Sequence, residues 1–100
     1  MILTTTNTLE GFKIIEYKGV VSGIGVNLQK QTLSFSIKKY NLAIAEGMEA
    51  AKELAFKNLE KNANDLNVGA VVGIKVDIEL TASNFVIVSI TGTAVNFAQK

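Results

Sequence analysis

Residues 41–66 read NLAIAEGMEAAKELAFKNLEKNANDL, and residues 69–80 read GAVVGIKVDIEL. In the first stretch Ile44, Met48, Ala51, Ala55, Leu59 and Ala63 recur every three or four residues, while Glu46, Glu49, Glu53, Lys57 and Glu60 fall on another face. That spacing predicts one long amphipathic helix over 41–66, in residue types that favour helix intrinsically. Asn41 is expected to cap its start, and Asn67 with Gly69 to supply a left-handed stop. Glu53 and Lys57 form an i,i+4 pair of the favourable orientation. In the second stretch the period changes to two. Val72, Ile74, Val76, Ile78 and Leu80 are expected on one face, and Lys75, Asp77 and Glu79 on the other, as in a half-buried strand.

Upstream, Lys13 to Val26 is rich in β-branched residues and reads as an extended segment. Glycines inside a strand mark bulges, bends or close backbone approach, and Gly23-x-Gly25 reads as a bend near the strand's end. A phosphate cradle would need a helix with Lys-Ser or Lys-Thr at its mouth directly afterwards, which Asn27-Leu28-Gln29-Lys30 does not supply. Gln29 to Tyr40 fits both periods and is read as a connection with local order. Downstream, Thr81 to Asn84 forms a turn and Phe85 to Phe97 a further strand. That strand carries Val86, Val88, Ile90 and Ala94 on one face and Phe85, Ile87, Val95 and Phe97 on the other, so both of its faces require cover. One helix covers one face of a sheet. A second copy of the chain is the simplest cover for the other, and a closed homo-oligomer is expected.

The chain has 100 residues, enough for a single domain spanning 1–100. Ten lysines, no arginine and nine carboxylates leave a net charge of +1, which offers no electrostatic case for nucleic acid or an anionic membrane as partner. Cysteine and histidine are both absent. Disulfides, thiolate and imidazole ligands and His-based catalysis are therefore excluded. No stretch approaches the ~20 apolar residues of a membrane span, and Met1 to Asn7 lacks the features of a signal peptide. A cytoplasmic location is the expectation.

Three ordered blocks resemble one family. They are Ile2-Leu3-Thr4-Thr5-Thr6 with Leu9-Glu10-Gly11 and Ile15-Glu16-Tyr17-x-Gly19-Val20-Val21-Ser22-Gly23; then Gly69-Ala70-Val71-Val72-Gly73-Ile74-x-Val76-Asp77-x-Glu79; then Val88-Ser89-Ile90-Thr91-Gly92-Thr93-Ala94-Val95. These are similar to the YbjQ family, also called UPF0145 or "putative heavy-metal-binding domain". The resemblance implies an α+β, dodecin-like β-α-β-β subunit with one long helix packed on an antiparallel sheet. It also implies a homo-oligomer, most often a pentamer, without a settled biochemical activity. Two departures stand out. The Arg-Asp pair and Gly-Gly-Arg-Ser-Gly stretch usual before the family's helix are missing from Gln29 to Tyr40. Lys18 stands where many members carry a cysteine.

Carboxylates are the only anionic ligands left, and they suit hard cations such as Ca²⁺ or Mg²⁺ rather than heavy metals. Asp77 and Glu79, two apart on a strand, point to one side, with Glu16 or Glu10 as partners across the sheet; these are the hard-cation candidates. An ordinary strand would leave the same charges solvated or paired with Lys75 or Lys18. Acid–base work by such carboxylates needs a pocket that separates their pKa values, and a lysine nucleophile, Lys18 or Lys75, needs burial. A dodecin-like flavin site relies on an indole, and the chain has no tryptophan; Tyr17 and Tyr40 are the available rings. Met48 with the alanine stripe reads as core rather than as a peptide groove. No catalytic or cofactor-binding residue is singled out. The expectation is a self-assembling, non-catalytic binding or interaction module whose small ligand is unknown, with a carboxylate-dependent metal-binding protein or interfacial enzyme as the alternative.

Overall fold

The elements in chain order are β1 (Ile2–Leu3), β2 (Phe12–Leu28), α1 (Ile37–Asp65), β3 (Ala70–Leu80) and β4 (Phe85–Gln99), so one short strand, β1, stands where the sequence shows no period. The computed structural model describes residues 1–28, 37–81 and 85–100, except the side chains of residues 28 and 37–43. The sheet order is β1-β3-β4-β2. β4 is antiparallel to both of its neighbours, so β2 and β3 run parallel to each other with β4 between them. β1 adds a parallel pair to β3, through Ile2 opposite Ala70 and Leu3 opposite Val71. The sheet is therefore mixed, where a wholly antiparallel one was expected. The cause is the crossing that follows β1, which carries the chain over the sheet to the far edge, where β2 starts.

α1 begins at Ile37, so Asn41 lies inside the helix and does not cap it. A good capping residue sets a helix start only when the residues before it resist helix, and Ile37 to Tyr40 contain no breaker. Of the segment 29–40 read as a connection, residues 29–36 lie outside the described residues, as do residues 82–84 of the turn. The stop is as expected at Asn67, which adopts φ +56°. The amides of Leu66 and Asn67 donate to the carbonyls of Ala63 and Asn64 at 3.0 Å. On the helix surface Lys52 meets Glu49 at 3.9 Å. Among the described residues the expected Glu53–Lys57 pair does not close.

Ala51, Ala55, Leu59 and Ala63 are buried against the sheet together with Val21, Val71, Ile74, Val86, Val88, Ile90 and Ala94. The approach is close because both partners are small. A Cβ at Gly23 or Gly25 would run into backbone atoms of Ala51, Ala55 or Leu59. The strand continues through both glycines to Leu28, so Gly23-x-Gly25 is a seat for the helix and not a bend. From the helix, Asn58 and Asn62 donate their Nδ2 hydrogens to the carbonyls of Ile24 and Ser22, each at 2.8 Å. Those carbonyls belong to the outer edge of β2, which would otherwise be open to pairing with another strand.

β3 departs from the simple alternation. Gly73 adopts φ +62°, and the register with β4 shifts between Val72 and Lys75. This bulge flips the phase. Ile74 packs under the helix side, whereas Val72 joins Ala70 and Val95 on the opposite face. The expected single face from Val72 to Leu80 is therefore broken at its first step. Because α1 lies over β2 and β4 and barely reaches β3, Val76, Ile78 and Leu80 remain 40%, 49% and 48% exposed.

The opposite face has its own small core. Leu9, from the N-terminal segment, packs with Ala70, Val72 and Val95, flanked by Phe12, Ile14 and Phe97. The rings of Phe12 and Phe97 meet edge to face at 4.9 Å. Val95 and Phe97 are thus covered by the chain itself, contrary to the expectation that a second copy must do so. The other half of this face stays bare.

Candidate functional site

The bare half is built by β2 and β4. Register places Val20, Ser22, Ile24 and Val26 opposite Thr93, Thr91, Ser89 and Ile87. The alternate positions of β2, Val21, Gly23 and Gly25, are buried under the helix, which turns the larger side chains outward. Val20 is 79% exposed, Ile24 55%, Val26 46% and Phe85 37%. Lys75, Asp77 and Glu79 of β3 lie opposite Thr91, Ser89 and Ile87. The open face therefore grades from a β2 row that is apolar except at Ser22, through hydroxyls on β4, to charges on β3. Composition alone hid this row; the signal was two glycines two residues apart between large β-branched residues, which marks the face a helix approaches.

Asp77 and Glu79 do share a side, as their spacing predicts, and both are exposed. Glu16 is not brought to them. It pairs across β2 and β4 with Asn96, seven residues along β4 from Ser89, the partner of Asp77. Asn96 Nδ2 donates to Glu16 Oε1 at 3.2 Å, and Lys18 Nζ lies 3.3 Å from the same oxygen. Together the Asn96 hydrogen bond and the Lys18 hydrogen bond and charge hold the Glu16 carboxyl below its usual range. The amide of Gly69 donates to Asn96 Oδ1 at 3.2 Å, so Asn96 ties β2 to the end of the helix turn. Neither Asn96, Asn58 nor Asn62 carried any periodic signal.

Glu10 sits in the N-terminal segment, where two adjoining open clefts of about 380 and 590 Å³ share Thr8, Leu9, Glu10 and Phe12. Tyr17 and Lys100 border the larger one. Thr4 and Thr6 hydroxyls lie 2.9 Å apart, and the Thr6 hydroxyl donates to the carbonyl of Thr8 at 2.8 Å. These protons hold the segment's turn together. A threonine nucleophile needs an adjacent base, and this cleft offers no imidazole. The segment is fastened by Thr4 and Thr6 carbonyls that accept from Ile74 and Gly73 at 3.1 and 2.8 Å, so the first two family-like blocks meet at the Gly73 bulge.

A heavy-metal ion does not fit this donor set. Thiolate and imidazole are missing from the sequence. Among the described residues, no three carboxylates come close enough to hold a metal ion. Also among the described residues, no helix is long and apolar enough to cross a membrane.

The profile of a family described as "putative heavy-metal-binding" matches residues 1–98. The chain is 37% identical, over 95% of its own length and 96% of the relative's, to a UPF0145 protein of Geobacillus kaustophilus strain HTA426. Its fold is similar to the crystal structure of a DUF74-family protein of unknown function from Pediococcus pentosaceus, with a TM-score of 0.71, 24% identity and 98% of both chains covered.

Proposed function

The chain belongs to the YbjQ family, and from that premise we propose that it works as a non-catalytic assembly module whose subunits close into a ring through the bare half of the sheet. The observation that carries this reading is the row Val20, Ile24 and Val26, which leaves β-branched side chains in water with Phe85 beside them. Soluble monomers seldom present large exposed apolar patches. Covering a few hundred Å² of it at ~25 cal/mol per Å² yields on the order of 10 kcal/mol before association entropy is subtracted.

The shape of the subunit supports the same reading. Its radius of gyration is 16.7 Å, against ~13 Å for a compact chain of this length. The long axis is 57 Å, the reach of a 17-residue strand such as β2 at ~3.3 Å per residue. Half of that strand stands beyond the part of the open face that Leu9 and Phe12 cover. A ring of five is the number the family resemblance favours, with a small ligand or a further partner bound where subunits meet, in the cytoplasm.

Light scattering in line with chromatography tests the proposal. Five copies of the 10.7 kDa chain give a particle of about 53 kDa. A stable monomer at micromolar concentration would sink it.

A further inference from the structure

We propose that the outer edge of β3 from Val76 to Leu80 takes up an extended segment of another protein as an added antiparallel strand, and that this segment alternates apolar residues with lysine or arginine. The site lies outside the bare half built by β2 and β4 and does not depend on the ring.

The edge is divided at the Gly73 bulge. Up to that point the N-terminal segment occupies it. The amides of Ile2 and Thr4 donate to the carbonyls of Gly69 and Val71, and the amides of Gly73 and Ile74 donate to Thr6 and Thr4. Beyond the bulge, two fixed points set the direction of the backbone groups. Ile74 turns its N–H outward to Thr4, and Thr81 turns its N–H inward to Phe85. The register with β4 runs unbroken from Lys75 to Leu80, so alternation sets the N–H and C=O of Val76, Ile78 and Leu80 on the outer edge. Among the described residues none of these groups meets a hydrogen-bond partner. The opposite edge of the sheet differs, because Asn58 and Asn62 take the outer carbonyls of Ile24 and Ser22 on β2.

The side chains along the vacant stretch specify its occupant. Val76, Ile78 and Leu80 stay exposed on the helix side, since α1 barely reaches β3. Asp77 and Glu79 are exposed on the other side. A second copy is a poor match. Pairing all three outward residues about a two-fold axis sets each Asp77 against a Glu79, in the non-hydrogen-bonded pairs where side chains come closest. Slipping the register either way pairs fewer outward residues and still sets Asp77 against Asp77 or Glu79 against Glu79. A foreign strand with cations at the two intervening positions turns that repulsion into attraction, while its alternate apolar residues lie beside Val76, Ile78 and Leu80.

Hydrogen-exchange NMR on the full chain tests this, with a synthetic peptide that alternates isoleucine with lysine as the probe. The amides of Val76, Ile78 and Leu80 are expected to exchange freely in the protein alone, and at ~100 times the Kd of the peptide to slow by up to ~100-fold. The variant Asp77→Lys/Glu79→Lys should bind this peptide ~10-fold or more weakly and should prefer one that alternates isoleucine with glutamate. Ile78→Pro, whose lost N–H faces outward and leaves the ladder to β4 intact, should abolish binding of either peptide; circular dichroism verifies that both variants fold, and if the proline variant does not, the charge reversal decides. Three amides already protected in the protein alone would mean that its own chain or a second copy fills the edge, and would overturn the proposal. So would a peptide that binds without protecting them, or a preference that the charge reversal leaves unchanged.

Discussion

The carbonyl oxygen of Ala51 occupies the place where a Cβ on Gly25 would have to stand. Helix and strand are in contact there backbone to backbone, without an intervening side chain. Gly25→Ala must therefore lift the helix off the sheet or bend the strand, and overpacking of this kind costs ~1–3 kcal/mol or more. Gly11→Ala is the comparison. No atom lies within 4 Å of its Cβ position, so only the φ of +81° is strained, at ~1–2 kcal/mol. Urea denaturation of both variants should rank Gly25→Ala as the more damaging.

Asn58 and Asn62 hold the free edge of β2 from the helix. Removing either amide should cost ~0.5–1.5 kcal/mol, the net worth of an ordinary hydrogen bond. The double variant Asn58→Ala/Asn62→Ala should have a second effect that the stability change does not capture: the uncovered edge recruits other strands. Static light scattering during mild heating should show the double variant aggregating earlier than a single variant of equal stability, such as a truncation in the helix core.

The Glu16 carboxyl titrates below its ordinary value of 4.5, owing to Asn96 and Lys18. A carboxylate with a depressed folded-state pKa stabilises the fold at pH above its unfolded value, and that stabilisation disappears as pH falls through the folded value. Glu16→Gln should accordingly be less stable than the wild type at pH 7, and the gap should shrink once the pH drops below 4.5. Denaturation midpoints of the two proteins at pH 7 and pH 3 measure this. A gap that persists unchanged at pH 3 would assign the loss to packing instead of charge.

Isothermal titration with Zn²⁺, Cu⁺ and Cd²⁺ should show no sub-micromolar site, since soft and borderline ions at this affinity draw on thiolate or imidazole. With Ca²⁺ the variant Asp77→Asn/Glu79→Gln should give the same thermal-shift response as the wild type. A stabilisation by Ca²⁺ that the double variant abolishes would establish Asp77 and Glu79 as ligands, in which case a ligand at ~100 times its Kd adds ~2.7 kcal/mol.

Legibility in the sequence tracked the range of the interaction that decided each feature. The helix face from Ile44 to Ala63 and the stop at Asn67 follow from neighbours three or four residues away, and both read correctly. So did the two-faced character of β4, because alternation along one strand is a local property. The phase of β3 did not, since the bulge at Gly73 depends on the carbonyls of Thr4 and Thr6 arriving from the far end of the chain. The cover over Val95 escaped for a similar reason. It comes from one leucine, Leu9, in a segment with no periodicity. Asp77 and Glu79 were placed on a common side by spacing alone, whereas Glu16 is kept from them by strand order, which puts β4 between β2 and β3, and by register, which sets it at Asn96 instead of at Ser89.

That strand order also bears on how the chain comes into being. Of the four strands, β4 emerges from the ribosome last, yet it is the one through which β2 and β3 are joined. Until it arrives, β2 and β3 are not joined to one another, and the inner edge of β2 beneath α1 is unpaired. The sheet closes from its middle, after its margins have been made. Contacts between segments so far apart in sequence form slowly, and in the meantime that edge is open to strands of other chains. Changes that slow the delivery of residues 85–99 are therefore expected to lower the yield of the protein without altering its finished fold.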